Sequence, residues 1–131
     1  MAWGDNQDYE EAEFNLAAGT IYRIDEALRE LNYFFKIKQY YRAYETLKII
    51  YSEVYPLLTP TEIKQMDERE KEIDQVVVGC YRTTKKGTQF VPTIKVDQTL
   101  RIWDRQLRLL MAKHRLYMKM ADTRLAAAKS G

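Results

Sequence analysis

With 131 residues, 46% of them hydrophobic and 31% charged, the chain has the size and composition of one globular domain and lies outside the range of disordered polymers. Its 5 glycines and 3 prolines are too few for a many-turned β-sandwich or a glycine-rich phosphate loop, and its single cysteine, Cys80, excludes an intrachain disulfide and a cysteine-rich zinc site. The net charge of +2 conceals an asymmetry: residues up to Tyr81 carry 16 acidic and 9 basic side chains, those from Arg82 onward 3 and 12. Such a division suits pairing between elements of one chain, head-to-tail association, or a basic face for a polyanion.

Phe14, Ala17, Ile21, Ile24, Leu28, Leu31 and Phe35 recur at alternating three- and four-residue spacing, which predicts a first helix over residues 7–36. Asp5 or Asn6 would cap it, Asp8, Glu10 and Glu11 suit the positive end of its dipole, and Gly19 predicts a bend. Residues 1–6 read as a flexible tail, within which Trp3 either folds back or anchors the tail on a partner. A second helix from Gln39 to Tyr55 sets Tyr40, Tyr44, Leu47, Tyr51, Val54 and Leu58 on one face and stops at Pro56. The stretch from Phe34 to Ala43 resembles the inter-helix turn of a tetratricopeptide repeat, with Tyr40 and Ala43 at matching positions. That resemblance covers one hairpin, lacks the turn glycine and does not recur at the ~34-residue period of such arrays, so it implies a generic helical hairpin and no peptide groove.

Thr59-Pro60-Thr61-Glu62 is a capping box with proline at the first helical position, and it starts a third helix. Its seam of Ile63, Met66, Ile73, Val77 and Cys80 skips the turn where Glu70 sits, while Asp67, Glu68, Arg69, Lys71, Glu72 and Asp74 form a charged, mostly acidic outer face. Residues 76–96 either extend this helix to Tyr81 and continue as a loop over 82–96, or form a short β-hairpin turning at Lys85-Lys86-Gly87; Pro92, which lacks a ladder donor, favours the loop. A fourth helix is predicted from Asp97 to Ala127 as one rod of roughly 45 Å, followed by a tail over 128–131. Its seam is Leu100, Trp103, Leu107, Leu110, His114, Tyr117 and Ala121. The expected fold is a single all-α domain over 1–131, an antiparallel four-helix bundle with a long C-terminal helix.

On a straight fourth helix Ile102, Leu109, Leu116 and Met120 form a second apolar stripe, with Met111 and Met118 at the other edge of the seam. Four helices rarely surround one of their own, so this stripe is expected to be a protein interface with another copy or another subunit. Arg101, Arg105, Arg108, Arg115 and Lys119 fall opposite the seam. Together with Lys85 and Lys86 they offer a solvated face, a contact for an acidic partner helix, or a surface for nucleic-acid phosphates. The chain has 10 tyrosines, five of them between Tyr40 and Tyr55; these either stack bases beside Lys36, Lys38 and Arg42 or pack their rings in the core with hydroxyls at its rim.

His114 is the sole histidine, so neither a histidine-rich metal site nor a local nucleophile triad is recognisable, and no Walker or dinucleotide fingerprint occurs. Its place in the fourth seam, opposite the gap at Glu70, predicts a Glu70–His114 contact. The carboxylates of the third helix sit among basic neighbours with nothing to shift their pKa values. No cofactor, metal, small-molecule substrate or membrane contact is expected. Without a basic-then-apolar leader or an apolar run near ~20 residues, a reducing cytoplasmic setting is expected. The sequence thus leads to a non-enzymatic structural or assembly subunit, with a nucleic-acid-binding accessory protein as the alternative.

Overall fold

The first apolar seam is carried by helix α1, Ala18–Lys36, which buries Ile21, Ile24, Ala27, Leu28, Leu31 and Phe35. The computed structural model describes residues 16–130, so Trp3, the caps expected at Asp5 and Asn6, the acidic residues after them and Phe14 lie outside the described residues. Leu16 and Ala17 precede the helix, which therefore does not run unbroken from residue 7, and Gly19 falls in its first turn, where there is no helix interior to bend.

Helix α1 ends in a tight turn made without glycine. Lys38 takes a left-handed φ of 60°, its N–H donates to the Phe35 carbonyl (3.2 Å), and the Gln39 N–H donates to the Phe34 carbonyl (2.8 Å). An L-residue costs about 1 kcal/mol in this conformation, so Lys38→Gly is expected to stabilise the protein by up to about that amount. Urea unfolding checks this; a lowered midpoint would show that the lysine side chain contributes more than its backbone strain removes.

Helix α2, Tyr40–Val54, follows directly and buries Ala43, Leu47, Ile50, Tyr51 and Val54, the seam expected for it. A single 3-10 turn, Tyr55–Leu57, carries the chain past Pro56 into α3, Pro60–Val78. The capping box forms as read: Thr59 Oγ1 accepts from the Glu62 N–H (3.2 Å), and the Thr59 N–H donates to Glu62 Oε1 (2.9 Å).

After α3 the chain forms a hairpin rather than the expected loop over 82–96. Strands β1, Tyr81–Thr84, and β2, Gly87–Phe90, pair antiparallel with Tyr81 opposite Phe90 and Thr84 opposite Gly87. Pro92 lies beyond β2 and so removes no donor from the ladder. The turn works because Gly87 adopts φ of 109°, open to glycine, while the Thr84 hydroxyl accepts from the Lys86 N–H (3.2 Å) and donates to the Gly87 carbonyl (2.9 Å). Tyr41 of α2 meets the rings of Tyr81 and Phe90 edge-on, at 6.4 and 5.6 Å, which seats the hairpin on the helices.

The C-terminal rod is broken. Helix α4, Ile94–Lys113, starts at Thr93, whose hydroxyl accepts from the Val96 N–H (3.1 Å), and not at Asp97; α5, Leu116–Ser130, extends into the expected tail. Between them His114 ends the helical turn and Arg115 takes a left-handed φ of 59°. This junction rotates the apolar pattern. On a straight helix Leu116 would lie within about 20° of Leu109 and about 140° from Met111. Across the bend Leu116 and Met120 instead join Leu107 and Met111 in the core, each 0–1% exposed.

Among the described residues the protein is mostly helical, with one two-stranded antiparallel hairpin and five α-helices where four were expected. Helix α1 packs on α2 and α5; α4 packs on α2, α3 and α5. The Arg23–Glu53 pair and the Phe35–Tyr40 ring contact lie at opposite ends of α1, so α1 and α2 are antiparallel. Asn32 meets Arg108 of α4 and Asp25 meets Arg124 of α5, so the two halves of the broken rod lie in turn along α1. Trp103, fully buried, meets Tyr51 edge-on at 6.1 Å.

Candidate functional site

The antiparallel packing of α3 against α4 leaves an open furrow between them, lined mainly by polar and charged side chains with Met66, Leu109 and Leu110 among them. Its wider part, about 1010 Å³, runs from Thr59 and Glu62 past Met66 and Arg69 to Gln106, Leu109 and Lys113. A second part of about 600 Å³ continues past Glu72 and Val76 to Thr93, Lys95 and Ile102, and Arg69 and Glu72 line both. Arg69 bridges the furrow: its Nε donates to Gln106 Oε1 (3.2 Å) and its Nη1 to Glu72 Oε2 (2.6 Å). Leu109 is 64% exposed and Ile102 46% exposed on the α4 wall. These are the two residues of the expected interface stripe that remain outward; Leu116 and Met120 are core, for the rotational reason given above.

One end of the furrow is closed by a polar cluster around Glu62, which is 6% exposed. Besides its capping bond, Glu62 receives Lys113 Nζ on Oε2 (2.6 Å) and His114 Nε2 on Oε1 (2.9 Å). Burial works against its ionisation, but the Lys113 ammonium, the Thr59 N–H and the His114 ring outweigh burial and hold its pKa down to about 2. His114 therefore pairs with Glu62 and not with Glu70, because the register of α3 against α4 brings the capping turn, not the mid-helix gap, to the α4–α5 junction. Glu70 lies closer to α2; burial pushes its pKa up, Lys48 opposes, and Asp74 and Asp67 add to the rise. Two carboxylates of α3, Glu62 and Glu70, thus do have shifted titrations.

The acidic face of α3 is partly turned inward. The Tyr51 hydroxyl donates to Asp67 Oδ1 (2.7 Å), the Tyr44 hydroxyl donates to Asp74, and Lys48 Nζ pairs with Asp74 at 3.0 Å. These tyrosines have their rings against the core and their hydroxyls at its rim, and burial raises the pKa of both. Glu68 and Glu72 stay exposed on the furrow's α3 wall.

Two arginines of the basic stripe are engaged within the chain. Arg101 pairs with Asp97 (2.9 Å) and lies over the Phe35 ring at 4.6 Å; Arg108 pairs with Asp104 (2.7 Å) and donates to Asn32 Oδ1 (2.8 Å). The acids stand one turn before their arginines, the favourable i,i+4 arrangement. Arg105 is exposed on the outward ridge between Ile102 and Leu109. Arg115 sits in the junction, Lys119 on α5, and Lys85 and Lys86 at the hairpin turn, so only Arg101, Arg105 and Arg108 share an element, α4, and the seven do not form one face of a rod.

Cys80 is 1% exposed with its thiol beside the Val76 carbonyl. Among the described residues no group of three His, Cys, Asp or Glu side chains could hold a metal ion, and no helix is long and apolar enough to cross a membrane. No protein-family model matches the chain, and neither a curated protein nor a solved structure is significantly similar to it.

Proposed function

We propose that the protein is a non-enzymatic assembly subunit that docks through the α3–α4 furrow, taking the outward ridge of α4 from a second copy. The observation that carries this reading is the ridge itself: Ile102, Arg105 and Leu109 lie on one face, exposed, beside a furrow whose opposite wall shows the carboxylates of Glu68 and Glu72. A two-fold arrangement sets Leu109 of each copy into the other's furrow and Arg105 opposite Glu68, so the same patch serves both sides. Apolar contact supplies the affinity and the charge pairs fix the register. The pairing of Arg101 and Arg108 inside the chain leaves fewer free cations for phosphates, which favours this reading over a nucleic-acid surface.

Light scattering on freshly prepared protein tests the reading. The wild type is expected to be dimeric at concentrations of about 100 μM, whereas Leu109→Glu is monomeric, with a stability within about 0.5 kcal/mol of the wild-type monomer's at high dilution, since the side chain is exposed. The exchange of charges in Arg105→Glu plus Glu68→Arg should restore association lost in either single variant. A wild type that stays monomeric, or a Leu109→Glu variant that dimerises as the wild type does, would remove the reading.

A further inference from the structure

We infer that α5 is an exchangeable arm: the α4–α5 junction is a hinge that can straighten, and the seat of α5 on α1 can be filled by α5 of a second copy. This association is separate from furrow docking and does not depend on it. The junction, Lys113-His114-Arg115-Leu116, contains neither glycine nor proline, yet the bend requires Arg115 at φ of 59°. Straightening relieves that conformation and gives the first N–H groups of α5 helical acceptors four residues back.

Straightening also turns Leu116 and Met120 about 140° away from the core face of their own α4, so the apolar side of the arm must find another seat. The seat is self-contained and the same in every copy. Leu116 and Met120 bury there, and Arg124 forks onto Asp25, with Nε to Oδ2 at 2.7 Å. It is also loosely filled: a cavity of about 190 Å³ lies between α1 and α5, lined by Ile21, Tyr22, Met120, Thr123 and Ala127 besides the ion pair, and residues 124–129 of the arm are all exposed. An arm with a strained hinge, a partly open seat and an identical seat in a second copy has the features from which domain-swapped dimers arise. Exchange requires release of the arm, so it is entered by refolding at high concentration rather than by mixing folded monomers.

The test uses full-length chains carrying Leu109→Glu, which removes furrow docking and so keeps the two associations apart. In this background Asp25→Arg sets two arginines together in cis, and Arg124→Asp sets two aspartates together. Refolded together at about 1 mM, the two variants are expected to form a one-to-one heterodimer in which both ion pairs are restored in trans, in clear excess over either homodimer, where the like charges remain opposed. Arg115→Gly in the same background suits the bend and disfavours the straight rod, so it should weaken the refolded dimer by at least about 100-fold relative to its parent. A mixture that stays monomeric would overturn the inference, as would an Arg115→Gly dimer as tight as its parent's.

Discussion

Trp103→Ala is expected to remove about 4 kcal/mol of stability, the largest loss from any single truncation in the protein. Trp103 is 0% exposed on α4, packed against Tyr51 of α2, at the level where α2, α3 and α4 meet. Truncation forfeits the transfer energy of the indole and leaves a cavity that three helices cannot jointly close. Trp103→Phe should cost less than half as much, because the buried indole N–H makes no hydrogen bond among the described residues, so its removal orphans no partner. Urea unfolding followed by circular dichroism checks both; an alanine variant within about 1 kcal/mol of the wild type would mean that the helices do not converge on this ring.

Glu62→Ala is the second large effect, with an expected loss of about 3 kcal/mol near neutral pH. The carboxylate caps α3 and anchors Lys113 and His114 at the α4–α5 junction, so its removal uncaps one helix and releases the end of another. The pH dependence gives an independent measure. The Glu62 pKa lies at about 2 in the fold against an ordinary 4.5, so its contribution is complete above pH 4.5 and is lost as pH falls towards 2. That shift corresponds to about 3 kcal/mol. Asp25 adds an acid sensitivity of the same sign, since the Arg124 guanidinium holds its carboxyl below the usual range against the effect of burial. The wild-type stability should therefore fall between pH 5 and 2 more steeply than that of Glu62→Ala, and the two curves should converge. Parallel curves would show that the Glu62 cluster does not form in solution.

Local chemistry was readable in the sequence where one signal sufficed. The capping box at Thr59–Glu62 forms with both reciprocal bonds, and the apolar spacing located the buried faces of α1, α2 and α3. The hairpin is one of the two readings the sequence allows for residues 76–96; it ranks behind the loop only when Pro92 is weighed as a ladder residue, whereas the turn hinges on Gly87 and on the Thr84 hydroxyl. The break at Arg115 had no breaker to announce it. Its trace is a phase slip: the buried positions run Leu100, Trp103, Leu107, Met111 and then Leu116, Met120, a five-residue step that no continuous helix buries on one side. The long second stripe arose from reading through that step. Pairing across elements, such as His114 with Glu62, depends on helix register, which spacing within one helix does not encode. The arginine pairs go unread when the stripe is taken alone, although their signal is in the chain: Asp97 and Asp104 stand one turn before Arg101 and Arg108.

The most direct test of docking through the α3–α4 furrow is a dilution series of backbone amide NMR spectra, from about 1 mM to about 10 μM, on freshly prepared protein. Concentration-dependent shifts should gather on the furrow walls, around Glu68, Glu72, Ile102, Arg105 and Leu109, and vanish in Leu109→Glu. Spectra that do not change on dilution, or changes that gather on the opposite side of the protein, would contradict the account.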